Sequence, residues 1–103
     1  MADIYKIAII GLGQIGNYLY RELNLKKKDI EIKTGKKIRI VAVSAKNKNK
    51  KRKYKIDKNI FYSNPIKIIK DIRPDVLYEV IGQSDGTSKK VVETALKNKI
   101  HVI

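Results

Sequence analysis

The chain has 103 residues and a formal net charge of +14, room for about one small domain but not for a cofactor domain joined to a separate catalytic one. It has no cysteine and a single histidine, His101, which excludes disulfides, thiolate zinc sites, a cysteine nucleophile and a His-cluster metal site. The opening "MADIYKIAII" carries Asp3 and a short apolar run without a cleavage site, so it is neither a signal peptide nor a membrane span, and a cytoplasmic protein is expected.

The charge has two readings. One is an electrostatic footprint for nucleic acid. The other is an AT-rich coding bias on a solvated surface: the basic residues are mostly Lys, Ile and Asn are abundant, and Arg is confined to Arg21, Arg39, Arg52 and Arg73. Nucleic-acid sites favour Arg forks and stacked aromatics, so the composition favours the second reading.

Ile4 to Ile10 is a nearly unbroken apolar run, rich in β-branched residues and ending at glycine, the pattern of a strand buried on both faces. From Gln14 the period changes. Ile15, Leu19 and Leu23 recur four apart, which predicts an amphipathic helix. It continues through "KKKDIEIK" to Gly35, which suits a left-handed position after the last turn. Ile38 to Ser44 reads as a second strand. Lys46 to Lys58, "KNKNKKRKYKIDK", has dense positive charge without periodicity and reads as a solvated loop. A short strand follows at Ile60 to Tyr62. Ser63 or Asn64 then caps a helix that has Pro65 in its first turn and stops at Ile72, ahead of Pro74. Asp75 to Ile81 is a strand, and Gly82 to Gly86, "GQSDG", a polar loop with Ser84 and Asp85 as cap candidates. Thr87 to Asn98 is a helix expected to bury Val91, Val92, Ala95 and Leu96, and Ile100 to Ile103 begins a further strand. Strands alternating with helices imply a parallel sheet with right-handed crossovers. The expected fold is α/β, a Rossmann-like doubly wound parallel sheet, incomplete, over residues 1–103.

"GLGQIG" fits G-x-G-x-x-G at Gly11, Gly13 and Gly16. Alone the pattern is weak. Its setting, between a buried strand and an amphipathic helix, is that of a dinucleotide cradle. Gly11 permits the tight turn, Gly13 lets main chain approach a pyrophosphate, and Gly16 lets the helix pack closely on the strand. The first-turn amides near Gln14 and Ile15, reached through Leu12, point at the phosphates with the helix dipole behind them. An NAD-selective site places Asp or Glu at the end of the second strand. Here Ser44, Ala45 and Lys46 stand there, and no acid follows until Asp57. NADP is therefore expected over NAD, with Lys46 and Lys48 available to a 2′-phosphate and Lys50 to Lys58 read as surface charge. Gly82 and Gln83 follow the third long strand, where main chain can border the ribose or nicotinamide.

"IAIIGLGQIG", "GKKIRIVAVSAK", "DVLYEVIGQ" and "ALKNKIHVI" together resemble the N-terminal cofactor domain of homoserine dehydrogenase over nearly the whole chain. Glu79 to Gly82 and Ile100 to Ile103 fit its most specific pieces. The resemblance assigns Lys46 to the family's basic residue that contacts the NADP phosphate. Ala45 stands where Asp is common, Gln83 replaces a second glycine, and Lys99 precedes Ile100 where a Gly-Lys pair is usual. It implies NAD(P)-dependent interconversion of L-aspartate 4-semialdehyde and L-homoserine, in threonine and methionine biosynthesis. It also implies that the catalytic lysine and the substrate-binding acids belong to a later domain, so this chain is expected to be a catalytically incomplete fragment with no catalytic residue of its own. Its expected partners are the dinucleotide and a C-terminal catalytic domain or a second copy. Two alternatives stand beside this one: a basic nucleic-acid module using Lys46 to Lys58, and another Rossmann oxidoreductase of a small amino-acid-derived substrate.

Overall fold

The computed structural model describes residues 4–45, 52, 55–81 and 87–103. Five strands form one parallel sheet: β1 (Ile4–Ile10), β2 (Lys37–Ser44), β3 (Phe61–Tyr62), β4 (Val76–Glu79) and β5 (His101–Val102), in the order β3-β2-β1-β4-β5. The helices are α1 (Gln14–Thr34), α2 (Pro65–Lys67) and α3 (Thr87–Lys97). The doubly wound α/β fold expected from the sequence is present.

The chain starts at the middle strand, steps outward to β2 and β3, then returns past β1 to β4 and β5. Right-handed crossovers in opposite directions fall on opposite faces. One face therefore carries α1. The other carries α2 and α3 around a core of Ala8, Ile10, Ala42, Ile68, Ile69, Leu77, Val91, Ala95 and Ile100. Ile7, Ile9, Val43 and Val76 alternate with these strand residues and pack under α1 with Leu12 and Tyr20. Direction reverses between β1 and β4, and a doubly wound sheet opens its ligand crevice at such a switch point, beyond the carboxyl ends of the strands.

Local chemistry explains the boundaries. α1 ends where Gly35 takes φ 74° and donates its N–H to the Glu31 carbonyl (2.8 Å). The Asn64 side chain accepts from the Ile66 amide at 3.0 Å, which makes Asn64 rather than Ser63 the cap of α2. That helix widens into π-type winding over Ile68–Ile72 and stops at Arg73, φ 54°, ahead of Pro74. α3 closes with Lys99 in the left-handed region: Lys99 N–H bonds to the Leu96 carbonyl and Ile100 N–H to the Ala95 carbonyl. This pair of bonds is a Schellman ending, built on a lysine at the position glycine usually takes.

Three sequence expectations are corrected. The first residues of β1, Ile4 to Lys6, are exposed, because β4 pairs only from Ile7 onward. The buried stripe of α1 is Gly16, Asn17 and Tyr20, with Leu19 and Leu23 beside it, whereas Ile15 is 72% exposed. The fourfold spacing correctly identified Leu19 and Leu23 but extrapolated one turn too far, since Gly16 is the residue that touches the sheet. On α3, Leu96 is 60% exposed and Val92 only half-buried, so Val91 and Ala95 carry the packing. Ser84 and Asp85 lie outside the described residues.

Candidate functional site

The glycine turn sits at the carboxyl end of the central strand. Gly11 adopts φ 102°, and its N–H donates to the Ser44 carbonyl at 2.7 Å, which ties the turn to the end of β2. Val80 N–H donates to the Ile10 carbonyl at 2.9 Å and draws the end of β4 alongside. A side chain at Gly11 would be strained by its φ and would also lie 2.7 Å from the Val80 carbonyl oxygen. At Gly16 an added Cβ would collide with the Gly11 carbonyl oxygen, so the helix reaches the strand only because this residue has none. Leu12, between the first two glycines, turns its side chain into the core under α1.

Gly13 differs from both. It is the N-terminal cap of α1 with φ −69°, no side chain caps the helix, and a Cβ built there meets nothing within 4 Å. The first turn of a helix leaves its amides without intrahelical partners, and they attract anions. Here they open onto space beside the switch point. Among the described residues, no atom comes within 4 Å of a Cβ placed at Gly13.

Gly11, Leu12, Gly13, Gln14, Ile15 and Gly16 thus form one continuous turn, and Ser44 and Ala45 join it from β2, Ser44 buried and Ala45 half-buried. Gln14 and Ile15 are exposed at the mouth of the helix. Lys46, Lys48, Gly82 and Gln83 lie outside the described residues.

Two residues at this end have roles that the sequence reading did not assign. Arg52, inside the run read as surface charge, is half-buried and donates its Nε–H to the Leu12 carbonyl at 3.3 Å. Its guanidinium carbon stands 5.9 Å from the centroid of the Phe61 ring, within cation–π range. The available signal was its being the sole Arg between Lys46 and Lys58. Glu79, the second acid in "DVLYEVI" after Asp75, accepts from the Ile81 amide at 2.9 Å and so shapes the start of the loop after β4. Asp57, the first acid after β2, is engaged locally: its carboxylate accepts from the Asn59 amide at 2.9 Å, and its own N–H donates to the Tyr20 hydroxyl at 3.3 Å.

A parallel sheet with a glycine turn leaving its central strand, and a helix that opens at that turn without a side-chain cap, is the architecture of a dinucleotide-binding α/β domain. Residues 11–103 match the family described as "Homoserine dehydrogenase, NAD binding domain", and the chain belongs to that family. The homoserine dehydrogenase of Bacillus subtilis is 28% identical over 98 residues, which are 95% of this chain and 22% of that protein. A solved homoserine dehydrogenase from S. aureus superposes with a TM-score of 0.88 at 30% identity, over 97% of this chain and 26% of its own. The enzyme from Thiobacillus denitrificans, at 21% identity and a TM-score of 0.80, shares the fold. The chain thus spans about a quarter of the length of these relatives. Among the described residues no helix is long and apolar enough to cross a membrane, and no group of His, Cys, Asp and Glu could hold a metal ion.

Proposed function

We propose that this chain binds NADP in preference to NAD and forms the cofactor part of a homoserine dehydrogenase, which interconverts L-aspartate 4-semialdehyde and L-homoserine. The observation that carries the reading is the room at Gly13: a helix N-terminus without a side-chain cap, facing space that a Cβ would enter unopposed. The amides of Gln14 and Ile15 would hold the diphosphate, with Leu12 main chain beside it. Gly11 and Gly16 keep the turn tight, and Ser44 and Ala45 border the ribose. Lys46, Gly82 and Gln83 are proposed as further contacts.

Preference for NADP follows from the end of β2. A carboxylate there would accept from the ribose 2′-OH and repel a 2′-phosphate. Ser44 and Ala45 offer none, and Asp57 is committed to its own turn. When bound, the nicotinamide supplies or accepts the hydride. Holding the substrate and polarising its carbonyl call for groups from the remaining three-quarters of such an enzyme. The chain alone therefore binds the cofactor without turning over homoserine.

A calorimetric titration of the 103-residue chain with NADPH tests the reading. Binding, together with its loss in Gly13→Glu while the circular dichroism spectrum and melting curve persist, is the expected result. The added carboxylate would fill the diphosphate room and repel its charge without straining a residue at φ −69°. A folded wild-type chain whose stability and heat signature ignore NADPH would sink the proposal.

A further inference from the structure

We infer that the outer face of α1 is a self-association surface, on which two copies of this chain lay their α1 helices side by side and parallel about a two-fold axis. The inference is independent of the cofactor reading and gives a role to the side of α1 that faces away from the sheet.

Tyr18, Leu25 and Ile32 are each at least 60% exposed, although the large apolar side chains of a surface helix ordinarily face the core. They stand seven residues apart, so successive members shift by only about 20° around the helix and form one stripe. Leu25 is nine positions from Gly16, which is about two and a half turns. The stripe therefore lies opposite the face that Gly16 and Tyr20 turn inward. Large apolar side chains at this spacing make the seam of a paired helix, which singly scattered exposed residues do not.

The flanks of the stripe specify what covers it. Arg21, four residues before Leu25, and Lys28, three after, lie on one side; Glu22, three before, and Asp29, four after, lie on the other. Each copy thus carries one basic and one acidic edge. A two-fold axis along the helices sets the basic edge of one copy against the acidic edge of the other at the same level. Arg21 then meets Glu22 of the second copy and Lys28 meets its Asp29, each twice, with Leu25 on Leu25. Antiparallel pairing would set like edges together. Within one chain Arg21 reaches Glu22 at only 3.7 Å, with the Arg21 side chain half exposed, so exchanging that contact for the one between copies costs little. Apolar contact supplies the affinity and the charged edges supply the direction. The formal charge of +14 opposes association, but beyond about 8 Å that repulsion is largely screened at physiological salt. One helical face buries less than the roughly 1,200 Å² of a standard interface, so the pair is a weak one, in the micromolar range.

Sedimentation equilibrium of the 103-residue chain tests the inference. Between about 10 µM and about 1 mM the weight-average mass should rise from monomer toward dimer. Leu25→Asp should stay monomeric throughout, with a circular dichroism spectrum and melting curve like those of wild type, because Leu25 is exposed. Arg21→Glu combined with Lys28→Glu makes both edges acidic and should weaken the dimer by about tenfold or more. Adding Glu22→Lys and Asp29→Lys swaps the edges and should restore it. Direction is read separately. The chain has no cysteine, so Ile32→Cys under mild oxidation should link two copies to each other. An antiparallel pair centred on Leu25 would instead link Ile32→Cys to Tyr18→Cys. The wild-type and Ile32→Cys measurements stand whether or not Leu25→Asp folds. A wild-type chain that is monomeric up to about 1 mM, an undiminished dimer in Leu25→Asp, or an Ile32→Cys chain that links to Tyr18→Cys but not to itself would each overturn the inference.

Discussion

The two faces of the sheet are built from the same strands but are covered differently. The α2/α3 face is closed by two helical crossovers, and its core residues Ile68, Ile69, Leu77, Val91 and Ala95 are sealed from solvent. Among the described residues the α1 face has one long helix over β1 and β2. Where the β2-to-β3 crossover returns, the described part, residues 55–60, is a stretch ending in a single 3-10 turn. Ile56 and Ile60 lean on the core there, and the Tyr20 hydroxyl holds the Asp57 amide. Behind them a cleft of about 490 Å³ lies between the second half of α1 and β2, bordered by Leu23, Ile38, Ile40 and Ile60. The difference teaches that stability and ligand geometry are divided between the faces. The closed face supplies close packing; the α1 side holds the glycine turn, the Arg52 contact with Leu12 and the cleft beside α1.

If the α1 face depends on one helix, the largest effect should come from the residue that seats it. Gly16→Ala drives a methyl into the Gly11 carbonyl, a backbone group that cannot swing aside. The expected loss is about 3 kcal/mol or more, because a backbone collision is worse than ordinary overpacking. Urea unfolding would measure it. A Gly16→Ala chain within a few tenths of wild type would mean that α1 is not seated on the strand as described.

The next effect compares the faces directly. Leu77 is fully buried on the closed face, and Leu77→Ala should cost about 3 kcal/mol in transfer and cavity terms. Ile60, half-buried at the cleft, has less to lose and a neighbourhood free to relax, so Ile60→Ala should cost about 1 kcal/mol. Equal midpoint shifts in urea would erase the distinction between a packed face and an open one.

The same distinction explains what could be read from the sequence. The β-branched apolar runs marked the strands, and the nearly unbroken run ending at Ile10 marked a strand buried on both faces. The cradle was legible because glycine has few reasons to recur at Gly11, Gly13 and Gly16 between a strand and a helix. The α1 face was harder. Ile15 belongs to the fourfold series by spacing, yet it is exposed, because the close approach at Gly16 rotates the helix so that Gly16 and Tyr20 face inward. Arg52 was hidden for another reason. In a run of like charges nothing local separates a solvated cation from one that finds a carbonyl 40 positions earlier in the chain. Contacts of that range are made by topology, here by β3 returning beside β2. Lys99 shows a milder case: the left-handed ending of α3 is dictated by the bonds to Leu96 and Ala95, and the sequence met it without the expected glycine.

The smallest expected change in stability belongs to the residue with the largest expected effect on binding. Gly13→Ala adds the same methyl as Gly16→Ala, three positions earlier. Gly13 has φ −69°, which alanine adopts freely, and its Cβ would meet nothing within 4 Å. Alanine is a slightly poorer helix cap than glycine, and it also loses less entropy on folding, so the net change should stay within about 0.5 kcal/mol. The methyl would nonetheless stand in the space where main chain must approach the diphosphate. NADPH should weaken by about tenfold or more, equivalent to roughly 1.4 kcal/mol. An unchanged melt with lost affinity separates room kept for a ligand from room required by packing, which is the division between the two glycines that the fold implies. Unchanged affinity would mean that the diphosphate does not lie against Gly13, and the cradle would have to be sought elsewhere along the switch point.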